Sequence, residues 1–196
     1  MKYPTYADTF RPSMKLFAGL YDVFLIVGFS FLLGLSAQLA LPLPFSPVPV
    51  TAQTLVVLLL GSLLGKFRGT LCVLLYLIEG SMGLPFFSGG RAGIAHLVGP
   101  TGGYLLGFVA SAYVVGSLAQ LGWDRKISFT LAAMLLGNLV IYIFGLPWLG
   151  RFVGYEKVLP LGLYPFIIGD VLKIAIAAIL MPGGWKILKL LRPPQD

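Results

Sequence analysis

The sequence predicts an all-α membrane protein, a bundle of six transmembrane helices with both termini in the cytoplasm. Three observations predict it. The 196 residues are 58% hydrophobic and 11% charged, with a mean hydropathy of +0.92, whereas soluble domains carry about 25% charged residues. Six apolar segments stand out between polar, Pro-rich and Gly-rich stretches. The 14 Lys and Arg residues, against 7 acidic ones, gather on alternate connections, as cytoplasmic loops do. A soluble enzyme is excluded by this composition. So is disorder, which requires few apolar side chains.

Residues 1–15, MKYPTYADTFRPSMK, predict a cytoplasmic arm. A cleavable signal would show a charged stub and a short apolar core instead. Residues 16–192 form the membrane domain and 193–196 a tail. The first span is 16–41. The stretch LPLPFSPVPVTAQT follows, in which Pro42, Pro44, Pro47 and Pro49 fix φ and remove donors, predicting an extended, stiff loop. The second span, 54–64, is short for a bilayer at ~1.5 Å per residue. It must begin in the preceding loop, tilt, or cross a thinned bilayer. The third is 69–86. The outer loop GLPFFSGGRAGIAHLVGPTGGY then leads into the fourth, 102–121, and its glycines allow close backbone approach to a ligand. The fifth and sixth are 127–149 and 161–181. All six are continuously apolar, which fits helices and not the alternating strands of a barrel.

Charge orients the bundle. Lys2, Arg11 and Lys15 lie in the arm, Lys66 and Arg68 after span two, Arg125 and Lys126 after span four, and Lys186, Lys189 and Arg192 after span six. The opposite side has only Arg91, Arg151 and Lys157. The positive-inside rule therefore places both termini in the cytoplasm. No basic run with interleaved aromatics points to nucleic acid.

Asp170 and Lys173 carry the strongest signal. Both lie inside span six at i, i+3, so on a helix they face the same way. Each costs on the order of 2.5–3.5 kcal/mol at mid-membrane. They form either a structural ion pair or a site for a polar ligand. Arg91, alone among positive charges in the Gly-rich loop, is either a carboxylate clamp or a solvated loop charge. Asn138 and Tyr142 share a face of span five at i, i+4, Gln53 ends the proline loop and Tyr104 opens span four. Such groups either meet a ligand, hydrogen-bond across helices, or anchor at the interface. Ser30 and Gly34, like Ser36 and Ala40, are small-xxx-small pairs that admit a close helix, from within the chain or from a partner. Asp22 lies near Lys15 and Glu79 near the outer end of span three; both suit structural or interfacial roles.

Several patterns are absent. GSLLGKF, Gly61 to Phe67, has three residues between its glycines and Phe67 after the Lys, so it fails the Walker pattern. The chain does not hydrolyse ATP. One cysteine, Cys72, and one histidine, His96, supply neither a disulfide nor a His-based metal site. No cofactor is expected.

The stretches PLPFSPVPVTAQTL, GLPFFSGG, GPTGGYLLGF, GNLVIYIFGLPWL and PFIIGDVLK together resemble the BioY family, the biotin-binding S-components of energy-coupling factor (ECF) vitamin transporters. The resemblance runs from about Leu16 onward, in the family's order. It implies an S-component-like six-helix bundle in the plasma (inner) membrane, with a vitamin pocket near the outer face under the two outer loops. It implies that Asp170 and Lys173, in the GD-x-x-K pattern, bind biotin's polar ring, and that Arg91 suits its carboxylate. It also implies partners: a transmembrane coupling protein and two ATPases. That coupling protein usually docks on an Ala-xxx-Ala pair of the first helix, which this sequence lacks; Ser30 and Gly34 stand in its place. An S-component for another vitamin and a small lipid-modifying membrane enzyme are the alternatives.

Overall fold

The computed structural model describes residues 3–191. Lys2, Arg192 and the tail 193–196 lie outside the described residues. The long helices are α2 (Lys15–Gln38), α3 (Gln53–Ser81), α5 (Gly102–Ala119), α6 (Ile127–Val153) and α8 (Ile167–Leu191), with short helices α1 (Tyr6–Thr9), α4 (Ile94–Leu97) and α7 (Val158–Gly162) between them. Five stretches of helix among the described residues are long and apolar enough to cross a membrane. The chain is thus a mostly helical, multi-pass membrane protein.

Spans two and three of the sequence both fall within α3, which is not a straight rod. Gly65 interrupts it at φ 80°, ψ 174°, a conformation that costs little without a Cβ. Beyond it the chain doubles back. A Cβ on Gly69 would sit 3.1 Å from Gly61 Cα, and Gln53 Nε2 donates to the Tyr76 hydroxyl at 2.7 Å across 23 residues of one helix. A continuous helix would hold those two about 35 Å apart. Small residues then let the neighbours close in: a Cβ on Gly61 would meet Ala112 O at 2.8 Å, and one on Gly107 would meet Ile141 Cα and O at 2.9 Å. Leu33, Val57, Leu60, Tyr76, Leu105, Phe108, Ile141 and Leu149 fill the core. The outward faces, such as Phe24, Leu35 and Ile168, are apolar and exposed, as lipid contact demands.

The proline loop is more ordered than an extended strap. It folds into a hairpin, β1 (Ala40–Leu43) against β2 (Ser46–Thr51), antiparallel, pairing Ala40 with Thr51 and Leu41 with Val50, with an irregularity between Leu41 and Leu43. In a two-stranded ribbon every strand is an edge, so prolines at alternate positions leave ladder donors intact. Span six also runs longer than the sequence suggests. Pro182 would normally end the helix, yet α8 continues to Leu191. The Tyr6 hydroxyl bonds Met181 O and its ring lies 4.2 Å from that of Trp185, so packing bridges the weak point.

The connections sort to two ends. At one, the arm docks firmly. Thr5 is buried, Tyr3 N donates to Gln120 O at 3.1 Å, and Arg125 Nη2 donates to Pro4 O at 3.0 Å. Trp185 Nε1 donates to Asp124 Oδ2 at 2.5 Å. Asp22 pairs with Arg11 and Arg68, each at 2.7 Å, and Arg68 also with Asp8 at 2.7 Å; Lys15 is not Asp22's partner. At the other end lie the β-hairpin, the loop 82–101 and α7. Ser46 Oγ donates to Leu161 O at 2.7 Å, Gln38 Nε2 to Phe87 O at 3.3 Å and Trp148 Nε1 to Gly99 O at 2.9 Å.

Candidate ligand-binding site

Beneath that second end lies a cavity whose empty space, counted out into the open solvent at its mouth, is about 590 Å³. Val48, Leu105, Phe108, Ile141 and Phe166 give it apolar walls. Gln53, Tyr104, Asn138, Tyr142, Asp170 and Lys173, six of the sequence candidates, supply polar groups. The arm of α3 before Gly65 is about 18 Å long, short of a ~30 Å bilayer core. Its N-terminal end, with Gln53 and Thr54, stops at the cavity and forms part of its wall.

Asp170 and Lys173 stand one turn apart on α8, with Nζ 3.5 Å from Oδ1. Asp170 is 5% exposed. It lies in the first turn of its helix, where the helix dipole favours a negative charge. The Tyr142 hydroxyl donates to its other oxygen. Lys173 Nζ donates to Thr54 Oγ1 at 2.8 Å. Each charge is therefore held by one neutral group and one ion. Burial of such a pair is tolerated only with those extra bonds.

Around the pair the remaining polar groups divide into committed and uncommitted ones. The Tyr104 hydroxyl donates to Gly162 O at 2.9 Å, tying α5 to α7, and its ring meets that of Tyr142 edge-on at 6.2 Å. Gln53 is spent on Tyr76. Asn138 Oδ1, by contrast, is buried without a hydrogen-bond partner. The cavity thus presents a carboxylate, an unsatisfied amide oxygen and an ammonium donor on apolar walls. That set suits a small ring bearing N–H donors and a carbonyl.

Arg91 does not line the cavity. It is exposed on the outer loop, where its carbonyl accepts from Phe87 N at 2.9 Å. Its charge reaches His96. Burial, and then Arg91, push the imidazole below the usual histidine range. Ser30 and Gly34 are buried inside the chain. A Cβ on Gly34 would meet the Phe86 ring at 2.7 Å, so the outer loop packs against Gly34, while the Ser30 hydroxyl donates to Val27 O at 2.8 Å. Thr54, Tyr76, Ser88, His96 and Thr101 line the cavity too and were not singled out from sequence as site residues. Tyr76, a hydroxyl in mid-span, carried a readable signal. The others sit in loops or at helix starts, where polar residues are ordinary.

This is the fold of an S-component. The chain superimposes with a TM-score of 0.78 on the crystal structure of the S-component for biotin from an ECF-type ABC transporter, covering 89% of this chain and 95% of that one at 24% identity. The BioY family model matches residues 10–190, and the chain belongs to the BioY family. Relatives include the probable biotin transporter BioY of Pyrococcus horikoshii, 41% identical over 159 residues (81% of this chain, 93% of that protein). The biotin transporter BioY of Thermotoga maritima is 39% identical over 166 residues, 83% of this chain and 90% of that one.

Proposed function

We propose that this chain is the biotin-binding subunit of a vitamin transporter and mediates biotin uptake. It is a transport subunit and not an enzyme. The carrying observation is the Asp170–Lys173 pair, set beside the unsatisfied Asn138 oxygen in an otherwise apolar cavity. Biotin's ureido ring offers two N–H groups, which Asp170 and Asn138 accept, and one carbonyl, which Lys173 meets. Tyr142 and Gln53 hold that wall in place, and Tyr104 fixes the cover. Arg91, at the rim, supplies positive charge for the valerate carboxylate.

The remaining parts of the reading follow the same geometry. The doubled-back α3 supports counting six spans. The docking of arm, Arg68, Arg125 and Trp185 at one end supports a cytoplasmic location for both termini in the plasma membrane, with the hairpin and the loop 82–101 as lids on the outer side. Uptake is energised by a transmembrane coupling protein and two ATPases, in keeping with the failed Walker pattern, and the chain itself uses no cofactor.

The test is binding of tritiated biotin to the purified chain in detergent, with unlabelled biotin, riboflavin and thiamine as competitors. Displacement by biotin alone is expected. Displacement by riboflavin or thiamine in preference to biotin makes this an S-component for another vitamin.

A further inference from the structure

Two sets stand out in the polar lining of the cavity, besides Thr51 and Tyr104. One, on α3, α6 and α8, is the ring-binding wall described above. The other belongs to the outer loop: Ser88, His96 and Thr101. The His96 ring lies flat on Phe87, centroids 4.8 Å apart at 19°, and Phe87 is fully buried. The imidazole plane is therefore fixed. Its Nε2 meets Thr101 Oγ1 at 3.3 Å. Among the described residues, neither His96 Nδ1 nor the Ser88 hydroxyl has a hydrogen-bond partner. The Phe87–Arg91 bridge folds the turn so that the charge felt by His96 is that of Arg91. The His96 ring, tied to Thr101 through Nε2, and the Ser88 hydroxyl thus keep hydrogen-bonding capacity on one wall, within reach of the Arg91 charge. The cavity's carboxylate, Asp170, is already held by Tyr142 and Lys173.

We propose that His96, held in its tautomer by Thr101, and Ser88 form an anion subsite that makes direct contact with the ligand's carboxylate. His96 is its specificity-determining residue, and Arg91 acts on it from the rim without touching the ligand. This rests on the biotin reading and extends it. The ring is recognised by α6 and α8 and the acid by the outer loop, so a ligand that engages both holds the lid to the bundle. With Nε2 accepting from the Thr101 hydroxyl, the His96 Nδ1–H and the Ser88 O–H are left as donors, of the kind that strengthen on a charged acceptor. A neutral amide in place of the carboxylate gains far less.

The experiment compares biotin with biotinamide, which keeps the ring and the chain but lacks the charge. Dissociation constants for both are measured on the full chain in detergent and on the variants H96F and T101V. Phe keeps the stack on Phe87 and removes the donors. Wild type is expected to favour biotin roughly tenfold or more, the effect of one charge-assisted hydrogen bond. H96F should reduce that preference toward unity while its affinity for biotinamide stays within a few-fold of wild type. T101V, which loses only the hydroxyl, should move the ratio in the same direction by less. A biotin-to-biotinamide ratio unchanged in both variants overturns the subsite and leaves the biotin reading standing. A wild-type chain that binds neither compound overturns that reading and the subsite with it.

Discussion

Replacing Asp170 by Asn tests the ring-binding wall at its centre. The side chain keeps its shape and loses its charge. Three things change. The Tyr142 hydroxyl donates to a neutral oxygen, Lys173 loses its counter-ion at 3.5 Å, and the ligand's N–H meets an amide in place of a carboxylate. Hydrogen bonds to charged groups contribute about 1.5–3 kcal/mol and neutral ones about 1. Exchanging the charge-assisted bond for a neutral one costs about 0.5–2 kcal/mol and so weakens biotin binding roughly 2- to 30-fold. The fold suffers less. Removing one partner of a buried pair costs about 3–5 kcal/mol, but Lys173 keeps Thr54 at 2.8 Å and its side chain is 15% exposed, so the loss falls below that range. The assay is equilibrium binding of tritiated biotin to wild type and D170N, with melting temperatures in the same detergent as the folding control. The double variant with K173M adds a second check. Two groups gripping one ring couple, so the double variant should lose less than the sum of the singles. Unchanged biotin affinity in a folded D170N protein would refute the assigned wall, whatever the variant's stability.

Three further perturbations probe the frame around the site. Gly107→Ala places a methyl 2.9 Å from Ile141 Cα and O; backbone cannot rotate away, so α5 and α6 must part, costing about 1–3 kcal/mol, read as a lower melting temperature in detergent. Trp185→Phe removes the donor to Asp124, whose other oxygen already lacks a partner. A buried carboxyl, pushed above its usual range by burial against the pull of Trp185 and Arg125, is then left unsatisfied, at about 1–3 kcal/mol by the same melt. Asp8→Asn tests how the arm is held. Burial pushes the Asp8 carboxyl up, but bonds from the Thr5 amide, Arg68 and the Thr5 hydroxyl outweigh it and hold the group below the usual carboxylate range. A depressed folded value means stability that is full above the unfolded pKa, about 3.9, and is lost as pH falls through the folded one. D8N should therefore melt below wild type at pH 7, and the gap should fade as the pH drops below about 4.

Much of the site was legible because its signals are local. Asp170 and Lys173 stand out against an apolar run, and their i, i+3 spacing fixes their mutual facing without any knowledge of the fold. Asn138 and Tyr142 share a face for the same reason. Arg91 shows the limit of this reasoning. A lone Arg in a Gly-rich loop has the right chemistry for a carboxylate, but the loop's path turns it to the surface and gives the cavity wall to His96. Ser30 and Gly34 show the same limit. Small residues show that something packs there, and only the fold reveals that it is Phe86.

What the sequence alone determined is what hydropathy, charge and helical period control: a membrane protein, helices over strands, the apolar segments, and an ionisable pair within the last span. These properties act over a single helix or across the bilayer, so the residues declare them one segment at a time. What only the tertiary structure decided depends on contacts between distant residues. The break at Gly65 turns one long helix into a hairpin because Gly61 and Gly69 can touch. The proline loop becomes a β-ribbon because Ala40 finds Thr51. Lys173 is stabilised by Thr54, 119 residues away in sequence, and Pro182 sits within α8 because Tyr6, 175 residues from the Met181 carbonyl it bonds, splints the helix at that point. No local pattern records these partners, since each is set by where the packed bundle brings two chain segments together.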